Sequence, residues 1–255
     1  MAEVSYDLTD GVAVLTLNRP AVMNALSSGL RRELGLALAR AVAEARVVVL
    51  TGAGRGFCSG QDLGDVDLDR VDLEAVLRDE YEPLLVAIAS CPLPVIAAVN
   101  GAAVGAGAGL ALSCDVVIAA ESASFAQSFT RIGLVPDAGG SYWLPRQVGL
   151  ARAMGAMLFG DKVSAVQAAA WGMIWEAVPD AEFEAHWRAR AMALAAGPLV
   201  AYRGVKQALR ASFDNDFKGQ LALEARLQGE CGKSGDFREG VAAFLGKRAP
   251  RFTGR

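Results

Sequence analysis

The sequence predicts an α/β fold with a parallel component, and three observations carry that prediction. Short apolar runs, Val47-Val-Val-Leu50, Pro94-Val-Ile-Ala-Ala-Val99 and Asp115-Val-Val-Ile-Ala119, lack polar alternation, as strands covered on both faces do. The first two lead into glycine-rich loops, "TGAGRGFCSGQDL" and "NGAAVGAGAGLALSC", and then into helical periodicity. A repeated strand–loop–helix order favours parallel pairing, because two parallel strands need a long crossover between them. Finally, 255 residues with 53% hydrophobic and 21% charged side chains can bury a substantial core.

The elements follow in order. Tyr6-Asp-Leu-Thr, Asp10-Gly11 and Val12 to Leu17 form a β-hairpin, since Asp-Gly supplies the positive φ angles of a two-residue turn. "NRPAVMNALSSGL" leads into a helix that starts near Ser27 and continues through "LRRELGLALARAVAEA". Residues from about 66 to 90 read as helix, ending before Cys91-Pro92. Asp115 marks the start of the third strand. After Trp143 the chain reads as helices alone, with Phe125, Trp143, Trp171 and Trp175 expected in the core. Gly197-Pro198 is a hinge. It divides a core, 1–196, from a C-terminal helical region, 197–255.

Several function classes are disfavoured. A net charge of −3 argues against a nucleic-acid surface, which needs clustered Lys and Arg, so no nucleic-acid partner is expected. Cys58, Cys91, Cys114 and Cys231 show no CxxC spacing and read as reduced thiols of a cytoplasmic protein. "MAEVSYDLTD" lacks the basic-then-apolar order of a signal peptide. Pro83 to Cys114 is uncharged and long enough to span a bilayer. Pro92, Pro94, Asn100 and glycines 101, 105, 107 and 109 interrupt it, so it reads as two buried elements with a loop, and no membrane contact is expected.

The single histidine, His186, lies on an amphipathic stretch with no second ligand nearby; it reads as a helix-surface residue, and no metal site is expected. Its isolation also weakens a Ser-His-Asp hydrolase. In "GFCSG", Ser59 stands one place late for a nucleophile elbow. "GAGAG" at 105–109 follows a strand and opens a helix, but Leu110 occupies the place of the third dinucleotide-binding glycine. Neither glycine-rich loop ends in the Gly-Lys-Ser/Thr of a phosphate loop.

What remains is two glycine-rich loops and one unusual acid. Glycine lets backbone approach closely and leaves amides exposed. Two N–H groups converging on one oxygen would form an oxyanion hole, whereas taken singly the same glycines need only permit tight turns. In "GLVPDAGGSYWLP" (133–145), Asp137 sits in an uncharged run. It is a turn residue, a helix N-cap before "AGGSYWL", or a reactive base.

"RGFCSGQDL" (55–63), "VIAAVNGAAVGAGAGLALSCDVVIAAESASF" (95–125) and "GLVPDAGGSYWLPRQVG" (133–149) together resemble the enoyl-CoA hydratase/isomerase (crotonase) superfamily over nearly the whole chain. The resemblance implies a crotonase-like α/β spiral of ββα units with a C-terminal helical trimerisation region, and an acyl-CoA thioester as substrate. Coenzyme A is then part of the substrate, and no separate cofactor is implied. It also implies a homotrimer, or a hexamer built as a dimer of trimers. By resemblance, the amides of Gln61 and Ala106 form the oxyanion hole. Met23, Asn24, Ala25, Leu26, Asp62 and Leu63 line the coenzyme A site, and Ser59, Gly105, Gly109, Phe129 and Pro136 belong to the substrate site. Lys206, Phe244 and Lys247 are candidates for contact with coenzyme A or a neighbouring subunit, or belong to a solvated helix face.

Family hydratases carry one glutamate just after the second glycine loop and another about twenty residues on. Gly109 and Phe129 occupy those places here, and neither can handle the protons of a hydration. The resemblance instead puts Asp137 where some family isomerases keep an acid/base aspartate, and Gly109 and Phe129 are expected to enlarge and dry the pocket. "GLVPDAGGSYWLPR", "GLARAMGAMLFGDKVSAVQAAAWGMIWEAV" and "DFREGVAAFLGKRAPRFTG" look like the ring-1,2-epoxyphenylacetyl-CoA isomerases of phenylacetate catabolism, which form the oxepin. The expected function is therefore an acyl-CoA isomerase with Asp137 as acid/base. The alternatives are a Δ3,Δ2-enoyl-CoA isomerase, an enoyl-CoA hydratase, or a thioester-binding oligomer without efficient chemistry.

Overall fold

A computed structural model describes residues 2–65, 67 and 70–255, with the backbone alone for Asp65. β1 (Val4–Thr9) and β2 (Val12–Leu17) form the hairpin. Asp10 and Gly11 both have positive φ, 51° and 79°, the two left-handed residues of a type I′ turn. α1 (Ser28–Glu44) starts at Ser27, whose side chain accepts from Leu30 N. That bond satisfies one of the free amides of the first turn. Leu30, Leu34, Leu38 and Ala41 are its buried stripe.

The chain then winds in similar turns. β3 (Val47–Gly52) and β4 (Gly56–Cys58) precede α2 (Leu73–Val76) and α3 (Glu82–Ala89), which a π-helical turn at Leu77–Tyr81 joins. β5 (Val95–Val99) and β6 (Ala102–Val104) precede α4 (Ala106–Leu112). β7 (Val116–Ala120) and β8 (Ser124–Ala126) lead to a 3-10 turn at Ser128–Ile132 and then to α5 (Gly140–Val148) and α6 (Leu150–Phe159). β9 (Lys162–Ser164), α7 (Ala165–Trp171), β10 (Glu176–Val178) and α8 (Asp180–Ala195) complete the core. α9 (Leu199–Ala211), α10 (Phe217–Gly232) and α11 (Gly235–Leu245) close the chain.

The longer strands, with the three-residue β10 at one edge, form one sheet, β1-β2-β3-β5-β7-β10, and the other short strands a second, β4-β6-β8-β9. Among the described residues only the β1–β2 and β8–β9 pairs are antiparallel. The windings β3–β4, β5–β6 and β7–β8 each contribute one strand to each sheet before their helical part, which is the ββα spiral. β5 is buried along its whole length. Phe57 and Phe125, on β4 and β8, are almost wholly buried, each worth about 2–3 kcal/mol of apolar burial. They anchor the short sheet, whose strands β4 and β6 lie within the glycine-rich loops.

Sequence patterning misses the short strands. β4 and β6 hide inside the glycine-rich loops, and β9 and β10 correct the expectation of helices alone after Trp143. Three residues give too short a run for periodicity to register. The helix expected from about 66 begins at Leu73, with Asp72 as its cap; residues 66, 68 and 69 of that stretch lie outside those described. Trp175 is exposed, contrary to its expected place in the core. At the junction of the proposed regions, Arg46 donates to the carbonyls of Ala195, Gly197 and Thr253, pinning the C-terminal tail to the start of β3. Among the described residues no helix is long and apolar enough to cross a membrane.

Candidate active site

The two glycine-rich loops meet. Gly60 has φ +93°, and a Cβ on it would lie 2.8 Å from the Val104 carbonyl oxygen and 3.5 Å from Ala106 N. Any side chain there would force the loops apart. The next residue, Gln61, forms an isolated parallel bridge with Leu26. Leu26 N donates to Gly60 O at 2.8 Å, and Asp62 N to Leu26 O at 3.3 Å. This pairing uses the groups on either side of Gln61 and leaves its own N–H facing away from Leu26. Ala106 is the first residue of α4, and first-turn amides have no partner within the helix. Neither amide has an acceptor among the described residues.

Gly107 and Gly109 set how closely α4 is approached. A Cβ on Gly107 would lie 2.3 Å from the Cys58 carbonyl oxygen, and one on Gly109 would lie 2.4 Å from that of Ala138. The second contact corrects one expectation. Gly109 does not enlarge the pocket, because the backbone of the 136–139 turn fills the space its side chain would take. Phe129 is buried, and its ring packs 3.4 Å from where a Gly105 Cβ would be. It therefore occupies space beside the second loop and does not widen it.

Asp137 rides on that turn, next to Pro136. Its carbonyl accepts from Gly140 N at 2.8 Å, but its side chain does not cap α5. The cap position is Gly139, without a side-chain bond, and Asp137 Oδ1 is buried with no hydrogen-bond partner. The N-cap alternative is thereby excluded. Loss of solvation raises its pKa to about 6, because burial disfavours the charged form.

The coenzyme A candidates divide. Met23 and Asn24 both have left-handed backbone, and Ser59 holds their loop through Ser59 N to Met23 O (2.9 Å) and Ser59 Oγ to Val22 O (3.1 Å). Ala25 and Leu26 are buried. So is Asn24, with no exposure; it accepts from Arg19 N and donates to Ala53 O and Gly56 O. It braces the loop and does not face a ligand. Asp62 pairs with Arg19 at 2.6 Å and accepts from Gly64 N, while Leu63 is exposed. Lys206 is committed elsewhere: it pairs with Asp115 at 2.6 Å and donates to Leu93 O. Phe244 is exposed.

Two residues near the site escape sequence reasoning. Tyr81 donates from its hydroxyl to Gln61 Oε1 at 2.5 Å, and Arg31 Nη1 donates to that hydroxyl at 3.2 Å. The available signal was Arg31 itself, a charged residue on the buried stripe shared by Leu34, Leu38 and Ala41. Tyr81 shares its spacing with buried Leu84 and Ile88 and reads as an ordinary core aromatic. His186 pairs with Glu176 at 2.7 Å, partly exposed on its helix.

Converging loops, a two-sheet ββα spiral and a half-buried acid with one shielded oxygen define a class, and the comparisons agree. Residues 7–255 match the family model for enoyl-CoA hydratase/isomerase. The chain belongs to that family. It is 66% identical over 99% of its length to a Rhodobacter capsulatus protein named "Probable enoyl-CoA hydratase", covering 98% of that protein. It is 46% identical to the Escherichia coli 1,2-epoxyphenylacetyl-CoA isomerase, covering 96% of each chain. An enoyl-CoA hydratase structure from Bacillus anthracis superposes with a TM-score of 0.93 at 34% identity, covering 99% of this chain and 100% of that one.

Proposed function

We propose that this chain is an acyl-CoA isomerase in which Asp137 moves the proton and the amides of Gln61 and Ala106 hold the thioester oxygen. The carboxylate takes a proton from Cα. The electron pair of the broken C–H bond passes into the carbonyl, whose oxygen gains charge between the two amides. The proton then returns at another conjugated carbon, so substrate and product have the same composition; with a ring-1,2-epoxide the C1–C2 bond shared by the two rings also breaks, its electron pair joining the π system of the seven-membered ring. Each donor of such a pair typically contributes about 3–4 kcal/mol to the barrier reduction. A carboxylate with its pKa raised to about 6 is a stronger base than an ordinary aspartate and is still mostly ionised at neutral pH.

One observation carries the proposal. The resemblance matches Gly109 to the first hydratase glutamate; the space a side chain would take there is occupied by the Ala138 backbone, and the same turn supplies a buried, unpartnered carboxylate oxygen. The favoured substrate is the ring-1,2-epoxide of phenylacetyl-CoA, supported by the motif resemblance and by the named E. coli relative. The residues proposed at the substrate are Met23, Ala25, Leu26, Ser59, Asp62, Leu63, Gly105, Phe129 and Pro136. The assembly proposed is a homotrimer or a pair of trimers. Hydration of a 2-enoyl-CoA is the second reading, favoured by the name of the relative at 66% identity.

A product analysis separates the two. The purified protein is given crotonyl-CoA, a 3-enoyl-CoA and the epoxide generated in situ. Isomerised products from the latter two, with crotonyl-CoA hydrated at least about 100-fold more slowly, are the expected result. Fast hydration of crotonyl-CoA with no isomerisation would replace the proposal with the hydratase reading.

A further inference from the structure

We infer that Tyr81 is a positioning residue for the oxyanion hole: its hydroxyl, held by Arg31, fixes the Gln61 residue whose N–H receives the developing charge. This rests on the reading above. Gln61 is held from two directions. Its backbone is registered by the bridge to Leu26, and its side chain accepts the Tyr81 hydroxyl proton at 2.5 Å. Both supports converge on Arg31. Arg31 Nη1 donates to the Leu26 carbonyl at 2.6 Å and to the Tyr81 hydroxyl at 3.2 Å, while Glu80 pairs with the same guanidinium. Its charged carbon also sits 4.5 Å from the centre of the Tyr81 ring.

Arg31 and Tyr81 are both almost fully buried, and a guanidinium in such a place needs several partners. Each partner here either flanks Gln61 or touches its side chain, save Glu80, which precedes Tyr81. Tyr81 closes the π-helical turn, an irregularity often found beside functional sites. Burial pushes its hydroxyl pKa upward, so it stays a proton donor to Gln61 at every working pH. The Ala106 amide is placed by helix and backbone packing, whereas the Gln61 amide lies on a loop that this side-chain bracket steadies.

The test uses the intact protein and acetoacetyl-CoA, whose bound enolate reports an oxyanion hole by its near-ultraviolet absorption. Wild type is expected to develop that absorption. Tyr81→Phe is expected to lose most of it, with kcat for isomerisation down about tenfold and KM within about twofold, because a misplaced donor affects the transition state more than the ground state. Affinity for saturated butyryl-CoA should stay at the wild-type value. Wild-type absorption and kcat in Tyr81→Phe would overturn the inference. An absence of enolate absorption in wild type would instead count against the oxyanion hole. If Tyr81→Phe does not fold, Gln61→Leu removes the same hydrogen bond from the other side. It should show the same kcat loss at unchanged KM, and a wild-type kcat there would equally overturn the inference.

Discussion

In the proposed mechanism each of the two glycine-rich loops offers one amide, yet the loops are built differently. The first, between β3 and Gln61, has close backbone contacts at Gly52 and Gly60 and is braced in addition by side chains. Asn24 bonds Ala53 O and Gly56 O, Asn100 bonds Gly54 O, Ser59 ties back to Val22, and Tyr81 reaches Gln61. The second, leading into α4, is placed by contact. Gly101, Gly107 and Gly109 lie so close to the carbonyls of Arg55, Cys58 and Ala138 that a Cβ would fall 2.1–2.4 Å from them. A loop held by several hydrogen bonds can lose one and keep its shape in part. A loop held by steric fit has no intermediate: a methyl group fits or the neighbour moves.

The sharpest way to break this contrast is Gly107→Ala. The new methyl group would meet both the Cys58 carbonyl and its Cβ, at 2.3 and 2.7 Å. Pushing the loops apart should cost about 2–3 kcal/mol of stability and lower turnover by about 100-fold or more, as expected when a donor is lost. Denaturant unfolding and steady-state kinetics check both numbers. Turnover close to wild type would show that the second loop adapts like the first.

Asn24→Ala probes the side-chain-braced loop. It removes three hydrogen bonds from a fully buried site, so the expected loss is about 2–3 kcal/mol of stability. Turnover should fall far less than in Gly107→Ala, at a temperature where both variants are folded. Equal losses would erase the distinction between the loops.

The turn that leans on the second loop carries its own pH signature. The folded protein holds the Asp137 proton up to about pH 6, whereas an unfolded chain releases it near 4. Between those values the folded state binds more protons, so its stability falls as pH rises from about 4 to 6 and then levels off. Asp137→Asn should therefore be more stable than wild type at pH 7 by about 1–2 kcal/mol, allowing for the partial contact of this group with water. The two should be equal below about pH 4. Urea unfolding of both proteins across this range tests the sign. A variant less stable than wild type at pH 7 would mean that the carboxylate makes a favourable contact.

The contrast also explains what could be read from sequence. The hairpin was legible because Asp10-Gly11 dictates its turn, and α1 because Ser27 announces its start. The central strands were legible because β5, β7 and the first four residues of β3 are apolar without a break. β4, β6, β9 and β10 were not, since three-residue strands owe their existence to the partner beside them and not to a pattern of their own. At the site, Gln61, Ala106 and Asp137 were singled out through motifs, and the structure places the first two at the junction of the loops. The space around Gly109 was misjudged because a sequence shows a missing side chain but not the Ala138 backbone that moves into it. Tyr81 and Arg31 were missed because their spacing is that of core residues, and only the fold shows which groups they address.

The central claim is tested most directly by Asp137→Asn, assayed for conversion of a 3-enoyl-CoA to the 2-enoyl isomer alongside circular dichroism and acyl-CoA binding. Removing a general base typically costs about 100- to 10,000-fold. The account predicts a loss in that range, with fold and thioester affinity retained. Turnover within about twofold of wild type, in a folded variant that binds thioester normally, would contradict it.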